Sequence, residues 1–229
     1  MKKLVMISVP LTLVLLGVSS YLALAVAPTE ATMGDVQRIF YYHVPSGWVA
    51  GLCFTINFLA SIWYLWKRSP ASDALAAGSA EVGVIFGTVL LITGPLWARP
   101  VWGIWWTWDA RLTTTLILWL IYVSYLVLRR FAAGGQTQVL AAAFAIFGFA
   151  DVPIVYFSIR WFRTQHPSPV MGGGEGSGLA TPMLQVFLIN LGLFTVMGLL
   201  YLALRYHLQM QEQALESAHA QAALRGVAQ

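Results

Sequence analysis

Six long apolar runs organise this chain: Leu4 to Val26, Ser46 to Trp66, Gly78 to Leu96, Leu112 to Leu128, Thr137 to Ile159 and Pro182 to Leu204. Between them collect the charged residues, prolines and glycines. A helix crosses the hydrocarbon core of a bilayer with about 20 mainly apolar residues, so each run predicts one transmembrane helix. What remains is too short for a separate soluble domain. The expected fold is an all-α integral membrane protein, a six-helix bundle over residues 1–204, with a polar helical extension or frayed end over 205–229. The first run has some look of a signal peptide, with Lys2 and Lys3 ahead of it and Ala25-Val26-Ala27 as a cleavage-like tail. Its apolar stretch is longer than the roughly 7 to 15 residues usual there, and Pro28 would follow the cut, so a retained first span is expected.

Composition agrees: 59% of residues are hydrophobic, 10% are charged and the mean hydropathy is +0.72, outside the range of a soluble globular domain. Charge then orients the bundle. With both termini inside, Lys2, Lys3, Lys67, Arg68, Arg129, Arg130, Arg205 and Arg225 are cytoplasmic, against Arg38, Arg99, Arg111, Arg160 and Arg163 outside. Every inner junction carries its positive charge close to a helix end. The net charge of +4 therefore reports topology and does not point to nucleic acid. Cys53 is the single cysteine and lies in an apolar run, which excludes a disulfide framework, a thiolate metal cluster and a C-x-x-C-H heme attachment site. The glycine-rich Met171 to Gly178 suits a flexible connector or a lid, and without a Gly-Lys-Ser/Thr ending it is no phosphate loop.

This topology puts Ala27 to Pro45, Trp97 to Arg111 and Arg160 to Thr181 on the outer side, where nearly everything chemically unusual lies. Trp97, Trp102, Trp105, Trp106 and Trp108 are half of the ten tryptophans, gathered within twelve residues. An interfacial aromatic belt accounts for one or two such rings but not for five. If Pro100 opens a short interfacial helix, Trp102, Trp105, Trp106 and Asp109 share one face at i, i+3, i+4, i+7. That predicts an aromatic platform along the membrane surface, fit for a large flat ligand with polar ends; a membrane anchor or a protein-docking patch is the alternative. Heme meets the description. Two outer histidines can supply axial ligands, His43 before the second span and His166 before the last, each closely followed by proline. His207 and His219 fall on the cytoplasmic tail and are set aside. Arg38, Arg99 and Arg111 flank the site as candidates for the heme propionates. Asp109 would repel a propionate and is better placed to N-cap the fourth span or to orient Arg111.

The run Trp102-Gly103-Ile104-Trp105-Trp106-Thr107-Trp108-Asp109-Ala110-Arg111-Leu112-Thr113 resembles the WWD signature of the heme-handling proteins of cytochrome c biogenesis, and Arg38 to Ser46 resembles the histidine motif of the cytochrome c maturation protein C (CcmC) family. With six predicted spans, the resemblance covers essentially the whole chain. It implies a protein of the bacterial cytoplasmic membrane that binds heme b non-covalently at a periplasmic site and promotes its transfer to the heme chaperone CcmE, alongside CcmD and the ABC transporter pair CcmA and CcmB. By motif, His43 and His166 would be axial ligands and Trp102 to Asp109 the heme platform and chaperone-facing surface. Such a protein is a delivery component and no enzyme in its own right, beyond heme-lyase-like assistance to attachment on CcmE. Two other classes stay open: a b-type bis-histidine cytochrome in electron transfer, and a small-solute carrier. A carrier would bind near the bilayer midplane, where Asn57, Asn190 and Glu81 supply only scattered polar groups.

Overall fold

The computed structural model describes residues 2–132, 136–169 and 178–227. Among the described residues seven α-helices carry the architecture: α1 (Lys2–Tyr21), α2 (Phe40–Lys67), α3 (Pro70–Trp102), α4 (Ala110–Phe131), α5 (Thr137–Gly148), α6 (Asp151–Trp161) and α7 (Thr181–Val227). Counting α5 and α6 as one segment, six are long and apolar enough to cross a membrane. The first apolar run is described throughout, and α1 continues through a π-turn over Leu22–Val26. Most of the glycine-rich run, 171–177, lies outside the described residues.

Local chemistry sets the helix ends. Ser69 caps α3 by accepting from the Ser72 N–H at 3.1 Å, with Pro70 in the first turn, where its missing N–H costs nothing. The other end of α3 stops at Gly103, whose φ of +78° is the left-handed conformation that glycine adopts without penalty. Asp109 caps α4 through the Leu112 N–H at 3.0 Å, and Arg129 and Arg130 occupy the last turn, where positive charge complements the helix dipole.

Three of the segments fold otherwise than the apolar runs predict. α2 begins at Phe40, behind a 3₁₀ turn over Asp35–Ile39, so His43 is a helical residue and not a loop residue. Phe40 and Tyr41 are buried against Ala23, Val186 and Phe187, and that burial extends the helix upstream through Pro45. The Trp-rich segment does not form the expected short helix. α3 runs unbroken through Pro95 and Pro100 to Trp102, and 103–109 is irregular, so the shared face drawn for Trp102, Trp105, Trp106 and Asp109 is absent. Proline inside a membrane helix is tolerated because neighbouring groups satisfy the freed carbonyl. The run from Thr137 to Ile159 is two helices with a turn at Phe149–Ala150.

α2 packs on α3, α5 and α7; α3 packs also on α4 and α7; α4 contacts α5 and α6; α1 leans on α7. Val49, Phe54, Val82, Phe86, Tyr122 and Phe194 form the centre. Backbones come close where glycine permits: a Cβ on Gly83 would run into the Phe54 ring, and one on Gly198 into Val49. Asn57 and Asn190, the scattered polar groups of the bundle, act as interhelical and intrahelical ties, to the Ala76 carbonyl at 2.7 Å, and to Ser19 and the Val186 carbonyl.

The two ends of the bundle differ. At the basic end, Arg129 makes a two-pronged pair with Asp73 at 2.6 and 2.8 Å, and Gln213 of α7 donates to the same carboxylate at 2.7 Å. Arg205 pairs with Glu81, which also accepts from Gln209 at 3.0 Å. The extension of α7 is thereby strapped to α3. The opposite end gathers the Trp-rich segment, the start of α2 and the stretch after α6.

Candidate functional site

His43 projects from the first turns of α2 onto α3. Its Nδ1 lies 2.9 Å from Thr93 Oγ1, and that hydroxyl spends its own proton on the Val89 carbonyl at 2.7 Å. A hydroxyl already donating can only accept from the ring, so Nδ1 carries the hydrogen and Nε2 keeps its lone pair. The Trp97 ring meets His43 edge-on, with centroids 5.9 Å apart. Gly94 faces the imidazole, where a Cβ would stand 3.4 Å from His43 Cε1, an ordinary contact.

His166 arrives from the irregular stretch after α6. Its Nδ1 sits 2.8 Å from the Pro167 carbonyl, a pure acceptor, so here too Nδ1 carries the hydrogen and Nε2 is the free nitrogen. Burial chiefly, and then the positive charge of Arg111, push its pKa down to about 4. The imidazole is therefore neutral at physiological pH, the form that binds metals.

The two rings, 123 positions apart in the chain, stand with centroids 6.5 Å apart and planes 33° from parallel. An iron held between two imidazoles needs a centre-to-centre distance of about 6 Å, from roughly 2 Å per metal–nitrogen bond and about 1 Å more to each ring centre. Among the described residues no group of three or more His, Cys, Asp and Glu side chains is placed to hold a metal ion. Two imidazoles alone suit an iron that brings its own equatorial ligands, as heme does.

The aromatic residues are distributed differently from the platform expected. Trp106 and Trp108 meet edge to face at 5.8 Å and, with Leu91, Pro95 and Leu116, line an open groove of about 500 Å³ between α3 and α4. A second groove of about 550 Å³, on the other flank of α3, includes Arg38, Tyr42, Thr93 and Leu96. At about 100° per residue along α3, the face that meets His43 falls between the two grooves. Trp105 and Trp108 are 57% and 76% exposed, so these two rings present apolar surface outward. Trp102 closes the last turn of α3, half-buried. Trp97 and Trp106 bury their indole N–H with no hydrogen-bond partner among the described residues, which is costly unless an outside acceptor meets it. The imidazole pair, the Trp-lined groove and these orphaned donors fit a flat ligand with polar edges.

The three arginines separate in role. Arg38 is committed to the fold: it donates to the Ala23 and Ala27 carbonyls at 2.9 and 3.0 Å, to Thr29 at 3.3 Å and to Asp35 at 2.9 Å, tying down the π-turn and the loop after it. Arg99 donates from one nitrogen to the Gly103 carbonyl, and Arg111 from one to the Val155 carbonyl. Asp109 does more than cap α4. Its second oxygen accepts from Thr164 at 2.7 Å, Thr107 at 3.2 Å and the Gln165 N–H at 3.3 Å. Burial pushes its pKa up, but these bonds and that from Leu112 outweigh it and the carboxyl lies below its ordinary value.

A profile of CcmC, heme exporter protein C, matches residues 1–221. The chain belongs to the heme exporter protein C family. It is 33% identical over 207 residues to heme exporter protein C of Haemophilus influenzae, covering 89% of this chain and 83% of that one. It is 36% identical over 188 residues to heme exporter protein C of Bradyrhizobium diazoefficiens, covering 81% and 71%. For a member of the heme exporter protein C family, sequence reasoning passed over three groups of this site: Thr93, Thr164 and the Pro167 carbonyl. Thr93 lies in a leucine-rich run, where threonine ordinarily satisfies itself on its own helix. Thr164, two residues before His166, did carry a signal, because a hydroxyl there can accept from the histidine N–H.

Proposed function

We propose that this chain holds heme b, non-covalently, between His43 and His166 at the outer face of the bacterial cytoplasmic membrane and hands it to the periplasmic chaperone CcmE. It does so as a delivery component working with CcmD, CcmA and CcmB. The observation that carries this reading is the imidazole pair, 6.5 Å apart, each ring with its Nδ1 hydrogen engaged and its Nε2 free. Membership of the heme exporter protein C family supports heme as the cargo.

His43 would meet the iron from the rigid end of α2 and His166 from the loop side. Trp106 and Trp108, with Leu91, Pro95 and Leu116, would cover the apolar porphyrin face. Arg111, whose charge already reaches His166, is the better candidate for a propionate than Arg38, whose guanidinium is spent on backbone carbonyls. Arg99 remains a second candidate at the end of α3. The exposed rings Trp105 and Trp108 give a chaperone a surface from which to reach the porphyrin edge. Inside placement of the basic end follows from Lys67, Arg68, Arg129, Arg130 and Arg205 at that end.

Purification with bound pigment tests the proposal. Wild-type protein should show a six-coordinate heme spectrum, and His43→Ala and His166→Ala should each convert it to a five-coordinate or water-ligated form, with the double variant nearly empty. Unchanged spectra in both single variants, or no heme in the wild type, would overturn it.

A further inference from the structure

His166 is a loop residue, and a loop imidazole ligates well only if its backbone is held. The hold comes from the Trp-rich segment. Asp109 gives one oxygen to the cap of α4, at 3.0 Å from the Leu112 N–H. The other faces away, toward a segment 55 residues further along, and accepts from Thr164 Oγ1 at 2.7 Å and from the Gln165 N–H at 3.3 Å. Thr164 Oγ1 in turn accepts the His166 N–H at 3.1 Å. A cap needs only the first of these oxygens. The second makes a relay from carboxylate to hydroxyl to histidine backbone, and the ring itself is oriented through the next carbonyl, that of Pro167.

We propose that Thr164 is the positioning residue of His166, and that Asp109 anchors it, so that the Trp-rich segment and the loop-borne ligand move as one unit. This rests on the reading of His166 as an iron ligand and names what sets its geometry. Displacing the Trp-rich segment, as a docking chaperone would, pulls on Asp109 and through Thr164 on His166, which loosens one axial ligand while His43 stays on its helix. Thr107, which also donates to Asp109 at 3.2 Å, adds a local tie within the segment.

Two conservative changes separate latch from cap. Thr164→Val keeps shape but removes both hydrogen bonds, and Thr164→Ser keeps them. Asp109→Asn still caps α4, since asparagine caps as well as aspartate, but it presents a donor amide or a weaker, neutral acceptor to Gln165 and Thr164. Backbone amide exchange is measured on heme-free protein in detergent, and absorption spectrum and reduction potential on the loaded protein. Thr164→Val and Asp109→Asn should each raise exchange at Gln165 and His166 by about tenfold, and give a mixed five- and six-coordinate spectrum with a shifted potential. Thr164→Ser should match the wild type in both. Unchanged exchange in the valine and asparagine variants would refute the latch. Faster exchange with a wild-type spectrum and potential would refute positioning of the ligand. If Thr164→Val fails to accumulate, Asp109→Asn against Thr164→Ser decides alone. A wild-type protein without heme would refute the heme reading, while the exchange comparison still decides the latch.

Discussion

Replacing Thr93 with valine tests the tautomer on which the proposed ligation by His43 depends. The side chains are nearly isosteric, so packing between α2 and α3 is kept and only the hydroxyl is lost. In the wild type the Thr93 hydroxyl donates to Val89 at 2.7 Å and accepts from His43 Nδ1 at 2.9 Å, which leaves Nε2 as the nitrogen with a lone pair. Without that acceptor the Nδ1 hydrogen loses a bond worth about 1 kcal/mol net, and the ring gains access to the other tautomer and to other rotamers. Removing the outer partner of a metal-bound histidine costs about 10- to 100-fold in affinity, or roughly 1.4 to 2.7 kcal/mol. Thr93→Val should therefore bind heme about 10- to 100-fold more weakly in a titration of the detergent-solubilised protein, and the heme retained should carry a five-coordinate component. Thr93→Ser, which keeps the hydroxyl, should lie close to wild type. Wild-type affinity and spectrum in the valine variant would show that His43 does not need this bond, and the assignment of Nε2 as the ligating atom would fall with it.

Single alanine variants of Trp105, Trp106 and Trp108 should each cost about 1 to 3 kcal/mol of stacking and burial, so they should keep detectable heme with near-normal axial spectra while losing more holo-CcmE formation than bound heme. Strictly proportional loss of the two quantities in one membrane preparation would reduce these rings to a binding pocket. Reporter fusions after Arg38, Arg99 and Arg163 should report the outer side, and fusions after Arg68, Arg130 and Arg205 the inner side; an inner Trp-rich segment would reverse the proposed direction of delivery.

How much of this was legible in the sequence depends on the kind of interaction. Apolar length announces membrane helices directly, because every backbone group in lipid must be satisfied within its own segment, and the all-α class followed. The capping role of Asp109 was legible too, since an acidic residue just before an apolar run is a known helix start. Helix breaks were not. Pro100 reads as a start in water-soluble helices, yet in α3 it sits two residues before the end, and the actual stop is Gly103 with its positive φ. The ties of Arg38 to the fold were not legible for a different reason: two of its acceptors are the Ala23 and Ala27 carbonyls, in and just after the π-turn at Leu22–Val26, and no side-chain pattern encodes a π-turn. The pairing of Thr93 with His43 spans 50 positions and depends on which face of α3 meets α2, a property of packing and not of local sequence.

The contrast between the two ends of the bundle bears on how the proposed release would stay local. At the basic end, charge pairs join α3 to α4 and to the extension of α7: Asp73 with Arg129 and Gln213, Glu81 with Arg205 and Gln209. Asp73 is buried, and removing one partner of a buried pair costs about 3 to 5 kcal/mol, so the Asp73–Arg129 tie makes this end expensive to distort. At the Trp-rich end the two proposed ligands are unequally held. His43 belongs to a long helix, is braced by Thr93 and Trp97, and cannot shift without moving α2 against α3. His166 hangs from a short relay of hydrogen bonds to Asp109, each worth far less than the packing of a helix. A carrier must hold its cargo firmly and also let it go, and those demands conflict if both ligands are equally fixed. In the proposed reading the rigid helix would supply retention and the tethered loop the point of yielding, beside the exposed rings where a receiving protein would dock. The Thr164→Val comparison bears on this directly, because a loop ligand that proved as rigidly held without its relay would leave the site with no weaker side from which to open.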